Sequence, residues 1–144
     1  MTSGVVLDAG AFDLLDRPDG ANLRHFLRLA IAGGSETRCS AVTLAEVARG
    51  TERTRRVEVA IARDRGGQRV RVVPTDVRLA KLVGAILHDT QSGSESLADA
   101  HVIAACTDFD AAVVITSDPG DIAELSAAAP STRIVVRAPD LGTS

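Results

Sequence analysis

Tryptophan and tyrosine are absent from this sequence, and Phe12, Phe26 and Phe109 are its only aromatic residues. A surface that grips single-stranded nucleic acid mainly by stacking bases on rings is therefore excluded. The core has to be built from Val, Leu, Ile and Ala instead. Cysteine occurs twice, as Cys39 and Cys106, far apart and without the spacing of a zinc site. No disulfide framework is expected, and two buried, reduced thiols in a cytoplasmic chain are the simpler reading. No apolar run approaches the roughly 20 residues a bilayer-spanning helix requires. The opening MTSGVVLDAGAF has no basic region and its apolar run breaks at Asp8, so neither a signal peptide nor a membrane association is expected. Positive charge is also short: 16 Lys and Arg against 19 Asp and Glu leave a net charge of -3. That excludes coating of nucleic acid through bulk positive potential, so any such contact has to be local.

What is present is enough for one compact core, since 45% of the 144 residues are hydrophobic. A single domain is expected over residues 1–138, followed by a polar tail over 139–144. Short β-branched runs alternate with longer amphipathic segments, the pattern of a parallel sheet covered by helices on both faces. Strands read at Val5–Leu7, Arg38–Val42, Val70–Val73, Ala112–Thr116 and Arg133–Val136. Apolar residues at three- and four-residue steps predict helices over Ala21–Ala32, Leu44–Arg63, Val77–His88, Leu97–Thr107 and Ile122–Ala128. The expected fold is a three-layer α/β/α sandwich around a mainly parallel five-stranded sheet. Gly33-Gly34, Gly66-Gly67 and Ser92-Gly93-Ser94 punctuate it, and none is long enough to link two domains.

In such a sheet the loops that leave the C-terminal ends of the strands converge on one edge, where open α/β folds place their ligands. Asp8 follows VVL, Glu46 lies just beyond SAV, and Asp118 lies two residues past VVIT. Asp99 reaches the same edge from the first turn of the helix before the fourth strand, and Asp121 lies one turn past Asp118. Each acid also fits a purely structural role. Asp8 can cap the helix starting at Ala9, and Asp118-Pro119 has the form of a helix start. Thr43-Leu-Ala-Glu46 and Ser96-Leu-Ala-Asp99 have capping-box spacing.

Capping alone does not require an acid at every junction, because Ser, Thr and Asn cap as well as Asp. Several carboxylates within a few ångströms repel one another and stay partly protonated unless a cation neutralises them. Hard oxygen ligands select Mg²⁺ or Mn²⁺, and such an ion activates a water for attack on a phosphodiester with no Ser, Cys or His nucleophile. A four-acid site thus points towards phosphoester hydrolysis.

The motifs VVLDAGAF, LAEVARG, SLADAHVIAAC and VVITSDPGDIAEL, in this order and at these separations, resemble those of a PIN domain, in particular a VapC-type toxin. The likeness runs from Val5 to Val136. It implies a parallel five-stranded sheet between helices and an acidic quartet of Asp8, Glu46, Asp99 and Asp118. Asp8, Asp99 and Asp118 would ligate Mg²⁺ or Mn²⁺, with Thr116 ordering the site and Asp121 as an auxiliary acid. It also implies endonucleolytic cleavage of RNA, a tRNA or rRNA, by the toxin of a type II toxin-antitoxin pair, with a cognate antitoxin protein as partner and a homodimeric state. The chain departs from the family in carrying Gly10 where a small polar residue is frequent, and Ile122 where an aromatic often follows the last acid.

For phosphate contact, the local resource is the arginine-rich stretch Thr51–Arg71, with Arg53, Arg55, Arg56, Arg63, Arg65, Arg69 and Arg71. Interleaved Glu52, Glu58 and Asp64 equally make it a solvated helix face. Arg49, one turn beyond Glu46, together with Arg53 and Arg56, forms the candidate RNA-binding set. His25, His88 and His101 have no paired ligand spacing and read as surface or packing residues. The segments Phe26–Ile31 and Val77–Leu87 are apolar on more than one face and are expected to be buried, in the core or against a partner. Other functions compete with the nuclease: an aspartate-nucleophile phosphatase or receiver domain, disfavoured because Ala9-Gly10 follow Asp8, and a PIN-like module with a non-toxin RNA-processing role or only a partner-binding role.

Overall fold

The computed structural model describes residues 2–62 and 70–141. Arg63, Asp64, Arg65, the Gly66-Gly67 pair, Arg69 and the last three residues of the tail lie outside the described residues. Five strands, β1 (Ser3–Leu7), β2 (Glu36–Ser40), β3 (Val70–Val73), β4 (Ala111–Ile115) and β5 (Arg133–Arg137), form one sheet in the order β3-β2-β1-β4-β5. Every neighbouring pair runs parallel. The expected sandwich is therefore observed, with a sheet parallel throughout.

Helices α1 (Ala9–Asp13), α2 (Ala21–Ala32), α3 (Ala41–Val47) and α4 (Thr51–Ala62) supply one layer. The other consists of α5 (Val77–Asp89), α6 (Leu97–Ala104) and α7 (Pro119–Ser126). Alternation along β1 feeds both layers: Val5 and Leu7 join Phe12, Leu23 and Leu27 on the first side, while Val6 joins Val83, Ile103 and Ile122 on the second. Buried on both faces, β1 and β4 carry near-continuous apolar runs, as central parallel strands do. Each fully buried Leu or Ile contributes roughly 1.5–3 kcal/mol. Cys39 and Cys106 are free, lie in opposite layers, and burial pushes both thiols up to about 12.

Among the described residues, Arg38, on β2, is the one strand arginine taken inside. Its guanidinium stacks 4.0 Å from the Phe109 ring centroid, pairs with Asp108 at 2.5 Å, and meets Glu36 at 3.1 Å. Planar stacking combined with two carboxylate partners is the setting in which Arg outperforms Lys.

Three expectations need correction. The helix expected over Leu44–Arg63 is two helices, because Gly50 adopts φ +86 between them, a left-handed conformation that a side chain opposes. The strand expected to reach Val42 stops at Ser40, whose Oγ accepts the Thr43 N–H at 3.0 Å and turns the chain into α3. Finally, the apolar segments in α2 and α5 are buried along one stripe each, Leu23 and Leu27 in α2 and Leu79, Val83 and Ile86 in α5; Leu29 stays 60% and Val77 71% exposed. Among the described residues, no helix is long and apolar enough to cross a membrane.

The sheet order fixes where a site can form. From β1 the chain winds through β2 to β3, then returns to the opposite side of β1 to add β4 and β5. The connections leaving β1 and β4 therefore diverge and leave a crevice at their C-terminal ends.

Candidate active site

The paired strands β1 and β4 end level, with Leu7 opposite Ile115, and Asp8 N donates to Ile115 O at 3.1 Å. Asp8 then caps α1, its Oδ1 accepting the Ala11 N–H at 2.9 Å. The other oxygen is turned toward the β4 loop: Oδ2 accepts from Thr116 Oγ1 at 2.6 Å and from Ser117 N at 3.1 Å. Three donors thus fix the orientation of a carboxylate that is only 8% exposed. Thr116, fully buried, also accepts the Asp118 N–H on Oγ1 at 2.9 Å and so orders both acid-bearing segments at once.

For the remaining acids the capping alternatives are not realised. Asp118 occupies the cap position of α7 without a side-chain capping bond. Ser96 makes none at α6, and its N–H goes to Gly93 O at 3.0 Å, which leaves Asp99 without the reciprocal bond of a capping box. The Thr43 N–H is taken by Ser40, so Glu46 does not hold it either. Asp99 and Glu46 are half-buried; Asp118 and Asp121 are exposed.

Helix α6 runs back toward the start of β4, which places its first turn, and Asp99, near the end where β4 finishes. Burial holds the Asp99 carboxyl above the usual aspartate range, and the negative charges of Asp118, Asp121, Asp8 and Glu46 push it further in the same direction. The charges of the other three predicted acids and of Asp121 therefore all reach Asp99 at one edge of the sheet. They share a field and not a cage: among the described residues, no three carboxylate, histidine or cysteine side chains form a closed metal-ligating group.

The sequence profile of the PIN domain family matches residues 5–127. The chain belongs to the PIN domain family. No curated protein sequence matches it. Solved structures share the fold of this PIN domain at low identity. A chain of the VapBC2 complex from Rickettsia felis bound to a promoter DNA fragment superposes with a TM-score of 0.63 at 13% identity, covering 92% of this chain and 98% of that one. A chain of FitAB bound to an IR36 DNA fragment gives 0.59 at 20% identity, covering 94% and 95%. A chain of DNA-bound VapBC from Salmonella typhimurium gives 0.55 at 18% identity, covering 94% and 98%. PIN domains are generally nucleases.

The basic residues are less concentrated than the sequence suggests. Arg53 pairs with Asp13 at 3.4 Å, tying α4 to α1, and Arg56 pairs with Glu52 at 2.9 Å along α4. Arg71 is engaged with Glu36 at 3.3 Å. Arg49 lies exposed in the link between α3 and α4 and has no ion pair among the described residues. An open groove between the Leu14–Pro18 turn and α4, lined by Asp16, Arg17, Arg55 and Arg56, contains none of the four acids. His25 and His88 are exposed, and His101 is buried with Nδ1 2.8 Å from Leu97 O, a packing residue. Ser117 is missing from the sequence expectations although its N–H contacts Asp8 directly; its place between Thr116 and Asp118 was the only available signal.

Proposed function

We propose that this PIN domain is a Mg²⁺- or Mn²⁺-dependent endoribonuclease, the toxin of a type II toxin-antitoxin pair, with Asp8, Glu46, Asp99 and Asp118 as its working acids. The observation that carries the reading is the gathering of these acids at the β1/β4 crevice, where burial first, and then the charges of Asp118, Asp121, Asp8 and Glu46, hold the Asp99 carboxyl up. The donor set fits the ion: hard carboxylate oxygens with no imidazole or thiolate among them suit Mg²⁺ and Mn²⁺. Asp8, Asp99 and Asp118 would hold it, with Glu46 facing them from α3. When bound, the cation neutralises the acids and supplies Lewis-acid chemistry for phosphodiester hydrolysis.

The chain's own residues do the arranging. Asp8 is locked by three donors and presents a fixed oxygen pair. Thr116 couples that lock to the backbone bearing Asp118. Asp121 adds negative charge at the rim, and Arg49, exposed beyond Glu46, is the cation available to an RNA phosphate. Folds shared with chains of VapBC and FitAB complexes support a protein partner, read here as a cognate antitoxin; a tRNA or rRNA substrate, a homodimeric state and a cytoplasmic setting belong to the same proposal.

The test is digestion of total RNA by purified protein across a Mn²⁺ titration. Cleavage is expected only with the divalent ion, and Asp8→Asn and Asp99→Asn are each expected to lower it by ~10²-fold or more, the equivalent of roughly 3 kcal/mol of transition-state stabilisation. Undiminished cleavage in both variants, with native circular dichroism, removes these acids from the reaction.

A further inference from the structure

Gly10 is the second residue of α1 and has an ordinary helical backbone; among the described glycines, only Gly34 and Gly50 have positive φ. Glycine is therefore not required there for its conformational freedom. What it provides is space. A Cβ at position 10 would lie 2.5 Å from Ser117 Oγ and 3.0 Å from Ser117 Cβ, and that same point is 3.6 Å from Asp8 Oδ1. The volume beside the Asp8 carboxylate that a residue-10 side chain would fill is already taken by the hydroxymethyl group of Ser117, arriving from the β4–α7 loop.

Ser117 is held in that place through its backbone, since its N–H donates to Asp8 Oδ2 at 3.1 Å. Its side chain is exposed and its hydroxyl makes no hydrogen bond among the described residues. A pinned backbone, a vacated neighbouring position and an uncommitted hydroxyl next to a carboxylate with three donors constitute a built arrangement. The slot admits one polar group, and this chain fills it from the β4 side.

We propose that Ser117 is a positioning residue of the acidic site: its hydroxyl, seated where Gly10 leaves room beside Asp8, hydrogen-bonds the hydration shell of the cation held there. Mg²⁺ and Mn²⁺ sites of few protein ligands retain bound waters that need such partners. The proposal rests on the metal-dependent reading above and names a group that orders it.

The experiment measures thermal stability of the intact protein against Mn²⁺ concentration, alongside RNA cleavage, for wild type, Asp99→Asn, Ser117→Ala, Gly10→Ser and the double variant Gly10→Ser/Ser117→Gly. Ser117→Ala is expected to melt like wild type without metal but to need on the order of tenfold more Mn²⁺ for the same stabilisation, the usual scale for loss of an outer-sphere partner. Gly10→Ser alone is expected to lower metal-free stability, because two side chains contend for one space. The double variant moves the hydroxyl to the α1 side and is expected to recover both metal-free melting and the wild-type Mn²⁺ midpoint. A Ser117→Ala midpoint equal to wild type, with Asp99→Asn strongly shifted, overturns the role of Ser117 and leaves the metal site standing. Recovery of melting in the double variant without recovery of the Mn²⁺ midpoint overturns it as well. A wild type whose melting ignores Mn²⁺ removes the parent reading together with this one.

Discussion

Thr116 and Asp8 meet through a 2.6 Å hydrogen bond across 108 residues of sequence. The bond is possible because β1 and β4 are parallel neighbours ending level, so the residues just after each strand face each other. Thr116→Val keeps the shape and removes the hydroxyl, leaving the Asp118 N–H without its acceptor and Asp8 with one donor fewer. A loss of about 1.5–3 kcal/mol is expected, read as a lower urea midpoint, while Thr116→Ser keeps most of the stability. Equal midpoints for the Val variant and wild type would contradict the coupling.

Like charge around Asp99 predicts a trade between stability and function. Its carboxyl is held up by burial and then by Asp118, Asp121, Asp8 and Glu46, so its ionised form weakens the native state at neutral pH. Asp99→Asn is expected to melt above wild type in metal-free buffer at pH 7 and to lose Mn²⁺-dependent stabilisation. Differential scanning fluorimetry with and without Mn²⁺ decides it, and an Asn variant that melts lower without metal refutes the repulsion.

The acid limb of stability has a separate source. Burial alone would raise the Glu36 carboxyl, but hydrogen bonds and charge from Arg38 and Arg71 outweigh it and hold Glu36 below the ordinary value of 4.5. A depressed carboxylate contributes stability above its unfolded value and loses it as pH falls through the folded one. Glu36→Gln is therefore expected to be less stable than wild type at pH 7, by less than ~1 kcal/mol because the side chain is partly exposed. The difference should close at pH values below the folded Glu36 titration. Chemical denaturation at pH 7 and at a series of falling pH values measures it, and a gap that widens in acid contradicts the assignment.

For RNA contact, the arginines are not equivalent. Arg49 is uncommitted among the described residues, whereas Arg53 and Arg56 already hold Asp13 and Glu52. Arg49→Ala is expected to weaken binding of single-stranded RNA and to reduce the slope of log affinity against log salt by about 0.7, one phosphate contact. Filter binding at several salt concentrations by a catalytically silent background variant reads this directly. A larger change from Arg53→Ala than from Arg49→Ala would reverse the ranking.

Four of the five strands were legible as short β-branched or apolar runs, and no observed limit differs from the expected one by more than two residues; β2, ETRCS, carries only Thr37 as a β-branched residue. Asp8 and Asp118 were legible because an acid immediately after, or a few residues beyond, the end of a parallel strand has only one edge on which to stand. The break between α3 and α4 was not, because Ala48, Arg49 and Gly50 preserve a plausible helical pattern and one glycine in a helix costs only ~1 kcal/mol. Nor could the capping alternatives be separated from the functional ones, since spacing is identical in both. The fold distinguishes them through Ser40 and Gly93, which take the amide protons that Glu46 and Asp99 would otherwise have received. The contact of Gly10 with Ser117 links residues from opposite ends of the chain, and no local pattern announces it.

The strand order also sets a timetable. β1 is made before the other four strands, yet its second neighbour is β4, and at about 5–20 residues per second roughly 5–20 s separate the synthesis of Asp8 from that of Asp118. Until then the nascent polypeptide has β2 and β3 on one side of β1 and nothing on the other. Asp8 lacks Thr116, Asp99 has not been joined by Asp118, and any premature termination product ending before Ala111 carries half an acidic edge that cannot close. The acidic edge is thus incomplete in every fragment that stops short of β4 and can close only once Asp118 has been made.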